Sequence, residues 1–274
     1  MRSIWVLARL TFKETARKKI LWMALFVGLA FLLLFGLAEH YQTFGPRITP
    51  LIRRQILNTQ FIVGMYALNF LVLAMTVLTS VDTISGEIAS GTIQAVATKP
   101  VRRHQLLIGK WLGFVGMFTI FLCLMVCGLA ATSYWITGYS AHHLLRGLSL
   151  MWLESVLLLT VAFLFGTMFS TLTNGIIALG LHGLAFLGGW IEQFGAFTNN
   201  ERVATIGVLA SIIMPSEALW RRAAFEMQSP LVGALGFSPF AAGATPSGMM
   251  VGYALVYTIV SLAIALRLFS KRDL

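Results

Sequence analysis

Thr83, Glu87, Ser90, Gln94 and Thr98 recur at intervals of three and four residues, which collects a carboxylate, an amide and three hydroxyls on one side of a helix. Val81, Ile84, Ile88, Thr92 and Ala95 fall in a narrow sector opposite. A lone carboxylate among hydroxyls has no second acid and no adjacent base, so the pattern does not serve acid–base or nucleophilic catalysis. Seen alone it fits a solvated loop helix, and it also suits recognition, because a helix with one polar and one greasy face can seat in a groove of a soluble partner. Glu87, Ser90 and Gln94 are the candidate docking residues on the polar face, with Gly91 a place where the helix can break and Pro100 its end.

The remaining reactive residues do not assemble into a site. Gly109-Lys110 is followed by Trp111 and lacks the glycine five positions before Gly109, so there is no phosphate-cradling loop. No His-Glu-xx-His, Gly-x-Ser-x-Gly or paired-carboxylate arrangement is present, and no catalytic, cofactor or metal-binding residue is assigned. His142 and His143 are adjacent in a loop without a further ligand at helical spacing. Cys123 and Cys127 share a helix face inside an apolar run and read as packing residues, not as a disulfide or redox pair.

Polar residues inside apolar blocks are more telling. Asn69 and His182 fall mid-block, while Glu154 and Glu192 fall near the outer ends of theirs. A charge at the bilayer centre costs about 2.5–3.5 kcal/mol on insertion scales, so such residues face protein or water. Asn69 and His182 are the candidates to line a pathway or a seam between two copies. The plainer alternative is interhelical hydrogen bonding, typically worth about 0.6 kcal/mol in membranes.

The elements that carry these residues follow from composition. Of 274 residues, 58% are hydrophobic and 11% are charged, against about a quarter charged in soluble domains. The apolar residues gather in six blocks, at 20–38, 61–80, 111–131, 150–170, 175–194 and 249–269. Each holds about 20 residues, enough for a helix to cross about 30 Å of hydrocarbon. None shows the alternation of an outer-membrane barrel. The expected class is all-α: a single polytopic domain over residues 1–274 with six transmembrane helices.

Three further segments complete that expectation. Residues 1–19 hold Ile4, Trp5, Ala8 and Phe12 on one helical face and Lys13 and Arg17 on another, as in an interfacial helix. The long apolar block that follows is not that of a cleaved signal peptide. Residues 81–110 hold the short surface helix described above. Residues 195–248 are an outer connection in which residues 203–214 are apolar but too short to cross. There Pro215 stops the chain, Ser216 is placed to cap a short helix, and Leu219, Trp220, Ala223 and Met227 form its apolar side opposite Arg221 and Arg222. These outer helices dip into the interface or re-enter the membrane, and an extra pair of full spans is the competing reading.

The formal charge of +10 sits at the ends of apolar blocks, a pattern of lipid contact and topology and not of nucleic-acid binding. Arg2, Arg9, Lys13, Arg17, Lys18 and Lys19 precede the first block, Lys99, Arg102, Arg103 and Lys110 lie between the second and third, and Arg267, Lys271 and Arg272 end the chain. They outnumber the basic residues of the other side, even with Arg47, Arg53 and Arg54 in the first outer loop, so both termini are expected to be cytoplasmic.

Gly86-Glu87-xxx-Gly91-Thr92, followed by Lys99-Pro100-Val101-xx-His104-xxxx-Gly109-Lys110, resembles the region between the second and third spans of ABC-2-type transporter permeases. Where that family has Ser-Arg, this sequence has Arg102-Arg103. The resemblance extends in outline along the whole chain. It implies a coupling helix that seats in a cytoplasmic ATPase subunit, no ATP site in this chain, and a homodimer or close heterodimer in the bacterial inner membrane. It further implies alternating access, with export the expected direction. Met214-Pro215-Ser216-Glu217-Ala218-Leu219-Trp220-Arg221 is also similar to a Pro-Asp/Glu-xx-Arg stretch of the branch that serves multicopper-enzyme maturation, which says little about cargo. The alternative is a six-span membrane assembly factor or intramembrane enzyme without an ATPase partner. An enzyme would need a paired acid–base or metal set within its spans.

Overall fold

The computed structural model describes residues 2–42, 48–90, 102–229 and 246–271. Among the described residues every regular element is an α-helix. In chain order these are α1 (Arg2–Ala16), α2 (Lys19–His40), α3 (Pro50–Ala89), α4 (Arg103–Thr137), α5 (Leu144–Gly166), α6 (Thr171–Phe197), α7 (Glu201–Ile213), α8 (Ser216–Met227) and α9 (Gly248–Lys271). Six of them, α2 to α6 and α9, are long and apolar enough to cross a membrane, as the hydrophobic blocks predict. The all-α polytopic class stands.

The largest departure from the sequence expectation is α3. Residues 81–89 do not form a separate surface helix; they continue α3 as one helix of 40 residues. Nothing between Ser80 and Ala89 breaks a helix, since a lone Gly86 costs only about 1 kcal/mol relative to Ala. Thr83, read as part of a solvent-facing side, and the hydroxyls around it are satisfied within the helix. Thr79, Ser80, Thr83 and Ser85 donate to the carbonyls of Met75, Thr76, Thr79 and Val81 at 2.7, 2.6, 3.3 and 2.8 Å. Thr83 and Ser85 are themselves buried. The other end is extended too, because Thr49 accepts from the Ile52 N–H at 3.4 Å and Pro50 opens the first turn. Residues 50–57, expected as part of an outer loop, are therefore helical. At 1.5 Å per residue α3 is about 60 Å long, twice the hydrocarbon thickness of about 30 Å.

α3 and α5 sit at the centre. The most apolar stretch of α5 is 67% buried and that of α3 is 61%, against 17% for α2 and 22% for α9, which lie outside. Phe61, Met65, Leu68, Phe114, Phe118, Phe163 and Trp220 fill the space between α3, α4, α5 and α8. Leu73, Val77, Leu157, Val161 and Ala178 fill that between α3, α5 and α6. α5 begins at Leu144, earlier than expected, because its apolar pattern already starts there. That moves Glu154 from near an outer end to mid-helix.

Two glycine contacts set the remaining geometry. α1 lies across α4 where a Cβ on Gly113 would meet the Ala8 carbonyl oxygen at 2.7 Å, so only glycine permits the crossing. Ala8, Thr11 and Thr15 are buried there while Trp5 is 75% exposed, so the apolar face of α1 divides between α4 and the surroundings. α7 packs back on α6 where a Cβ on Gly207 would meet the Gly188 carbonyl oxygen at 2.5 Å. Pro215 then ends α7 as expected, and α8 leaves at a bend of 106°.

Candidate functional site

Two groups of polar residues stand out, one at the end of the bundle carrying α1 and one inside it. At the α1 end, Glu87 near the C-terminus of α3 forms an ion pair with Lys110 of α4. The Glu87 side chain is 23% exposed and that of Lys110 is 11%, so the carboxylate is engaged within the chain and only partly open to an outside partner. Lys18 reaches Asp82 at 3.4 Å, and the two pairs line a polar crevice of about 270 Å³ with Thr11, Glu14, Thr15 and Ser90. Ser90 caps α3 and is exposed, its N–H donating to the Gly86 carbonyl at 2.9 Å. Gly91, Thr92 and Gln94 lie outside the described residues.

Nearby, Asn174 of α6 binds the whole end together. Its amide donates to the Val81 carbonyl of α3 at 3.0 Å and the Ala162 carbonyl of α5 at 2.9 Å, and Ser85 meets Thr171 at 2.8 Å. Movement of the α3 end is thereby coupled to α5 and α6.

The second group lies between α3, α5, α6 and α8. Asn69 donates its amide to Glu154 Oε2 at 3.0 Å, and both residues are buried inside the single chain and not on an outer face. Among the described residues Glu154 Oε1 and Asn69 Oδ1 have no hydrogen-bond partner. Glu192 of α6 pairs with Arg221 of α8 at 2.5 Å, with side-chain exposures of 8% and 7%. Glu217, one turn before Arg221, is buried and lies within electrostatic range of both Arg221 and Glu154. His182 Nδ1 meets the Ser216 hydroxyl at 3.0 Å, so Ser216 binds α6 and does not cap α8, whose start carries no side-chain cap. A cavity of about 10 Å³ lies between Tyr66, Trp190, Gln193, Glu217, Trp220 and Arg221.

α8 therefore differs from its sequence expectation. Arg221 is not on a polar face opposite the apolar side; the whole helix is inserted against α5, and Arg221 is held by the α6 carboxylate. Arg222 keeps a partly exposed position, paired with Glu226 at 2.7 Å. The available signal was the spacing of Glu217 and Arg221 directly after a proline break, which marks two ionisable groups one turn apart in an otherwise apolar helix. Glu39 was also missed: it is buried at the end of α2 and accepts from Ser133 at 2.6 Å.

The long α3, the ion-paired end beneath α1 and the broken α7–α8 pair run through one polytopic bundle, and a family model described as "ABC-2 family transporter protein" matches residues 5–274. The chain belongs to that ABC-2 family. A search of curated proteins finds no match. The ABC-2 assignment makes this chain the multi-pass membrane part of an ABC transporter, a transport subunit. In this ABC-2 bundle the sequence-predicted residues separate into three places: Glu87 and Ser90 at the α1 end, Asn69 in the interior beside Glu154, and His182 on α6 against α8. Among the described residues no three His, Cys, Asp or Glu side chains converge as a metal-ligand set, and His142 and His143 pack edge to face with each other.

At the end remote from α1, Tyr139 ties the α4–α5 loop to α3, its hydroxyl donating to Asn58 Oδ1 at 2.8 Å. Burial, only partly offset by Arg54, pushes this phenol up to about 12, so it stays a donor across the neutral range.

Proposed function

We propose that this chain is the permease subunit of an ABC exporter, driven by a separate ATPase that docks where the C-terminal end of α3 meets α4 and α1. The observation that carries this reading is the length of α3, which runs past any bilayer boundary to Ser90 as a single rigid rod. A rod of that kind transmits displacement without bending, and its ties to Asn174 and Thr171 pass the displacement to α5 and α6. Glu87, Ser90, Gly91, Thr92 and Gln94 are the proposed docking residues. Docking at Glu87 works against the Lys110 pair, so ATPase engagement shifts the transport equilibrium by the difference between those contacts in the two states.

The Lys and Arg bias supports a bacterial cytoplasmic membrane topology with both termini inside. A pair of chains is required because the interior of one bundle is filled by side chains such as Phe114, Phe118 and Phe163. The pathway then runs between copies, with the apolar, largely exposed faces of α2, α6 and α9 available for the seam. His182 is the proposed seam residue, while Asn69, buried inside one bundle, is proposed to act only through its bond to Glu154. The bent α7–α8 pair is a re-entrant element. A groove of about 510 Å³ between α1 and α4, apolar apart from Arg9, suits an anionic membrane lipid.

The test is cysteine cross-linking of Ser90→Cys, with Cys123 and Cys127 replaced by alanine, in membranes holding a co-expressed candidate ABC ATPase subunit. A specific adduct with the ATPase is expected. Absence of any adduct from Ser90→Cys, with the ATPase present and folded, would overturn the docking position.

A further inference from the structure

We propose that Glu154 and Glu217 form a proton-binding site in the interior of the bundle, with one proton held on one of the two carboxyl groups. The inference rests on the side chains of α3, α5, α6 and α8 and is independent of which ATPase drives the chain.

The charge balance carries it. Facing Glu154 and Glu217 are Asn69 and Tyr66 from α3, His182 and Glu192 from α6, and Arg221 from α8. Among the described residues Glu217 is the one charged group acting on Glu154, and Asn69 is its hydrogen-bond partner. Arg221 is hydrogen-bonded to Glu192, so a single guanidinium serves three carboxyl groups. Even if His182 also carried a charge, one carboxylate would be left without a counter-charge. Glu154 is fully buried and lies mid-helix, and among the described residues Asn69 is its one hydrogen-bond donor. A buried, uncompensated carboxylate next to another acid is removed most simply by adding a proton. The unpartnered Glu154 Oε1 and Asn69 Oδ1 are a second sign of a missing hydrogen, because both are acceptors waiting for a donor.

The step is proton uptake alone. One O–H bond forms on a carboxyl oxygen, the proton comes from water, and the charge of the pair falls by one unit without any oxidation or reduction. The small cavity beside Glu217, bounded by Tyr66, Trp190 and Trp220, has about the space of one water. Glu217 is thus the acid beside the cavity, and Glu154 the deeper one. Because Glu217 starts α8 just after the bend at Pro215, withdrawal of α8 would separate the two acids and release the proton.

The experiment is infrared difference spectroscopy of the full chain in lipid nanodiscs, reading the carbonyl stretch of protonated carboxyl groups at neutral pH and its shift in heavy water. The wild type is expected to show the band, Glu154→Gln/Glu217→Gln to lose that component, and Glu39→Gln to keep it. Glutamine preserves volume and still accepts from Asn69, and size-exclusion profiles check the fold. Each single substitution is also expected to reduce the band, which guards against misfolding of the double variant. A wild type with no protonated carboxyl at neutral pH would overturn the proposal, as would a band untouched by the substitutions. Carboxylates that appear protonated only when sodium and potassium are withdrawn would mark a metal-cation site and overturn it equally.

Discussion

Arg221 is the residue on which the interior depends most. It is 7% exposed, and its bond to Glu192 closes α8 onto α6. Removing one partner of a buried pair leaves the other charge uncompensated, at a cost of about 3–5 kcal/mol, while replacing both by apolar residues of similar volume is close to neutral. Arg221→Ala should therefore destabilise the chain by about 3–5 kcal/mol in a thermal or denaturant series in detergent. Arg221→Met/Glu192→Gln should recover most of the loss. Equal loss in the single and double variants would mean that packing, and not charge, holds α8 in place.

At the scale of elements, the sequence was readable where period and length decide. The six apolar blocks, the break at Pro215 and the amphipathic α1 follow from residue pattern alone. Helix ends were less readable, and for a stated reason. Thr83 looks solvent-facing by period, but a hydroxyl that bonds its own helix one turn back is satisfied without water, so polarity did not mark a boundary. The α8 site was hidden in the same way: Arg221 reads as a surface charge until a carboxylate from a helix 29 residues away meets it. Asn69 and His182 were visible as polar residues in apolar blocks, but their partners Glu154 and Ser216 come from other helices, and no spacing rule supplies such pairs. One element-scale contact was equally unreadable. Gly113 admits the α1 backbone, and a larger side chain there would strike Ala8. Gly113→Leu should release α1 from α4, lower stability by about 1–3 kcal/mol, and expose the segment around Arg9 and Lys13 to protease. Unchanged proteolysis would show that α1 is held elsewhere.

For the whole molecule, the family fixes the class of protein and the geometry suggests how force enters it. α3 joins the ion-paired end to the interior where Asn69 meets Glu154, and Asn174 ties its lower turns to α5 and α6. The proposed docking at one end of this helix would therefore have a continuous helical path to the acid cluster. The most direct measurement is co-purification of a candidate ABC ATPase subunit with wild type, Glu87→Lys, and the charge swap Glu87→Lys/Lys110→Glu, each checked for folding. The swap restores the internal ion pair and removes the carboxylate at position 87. Capture by wild type, with loss in both variants although the swap folds normally, is the expected result. No capture by wild type, or capture by the swap as complete as by wild type, would contradict docking through Glu87 at the end of α3.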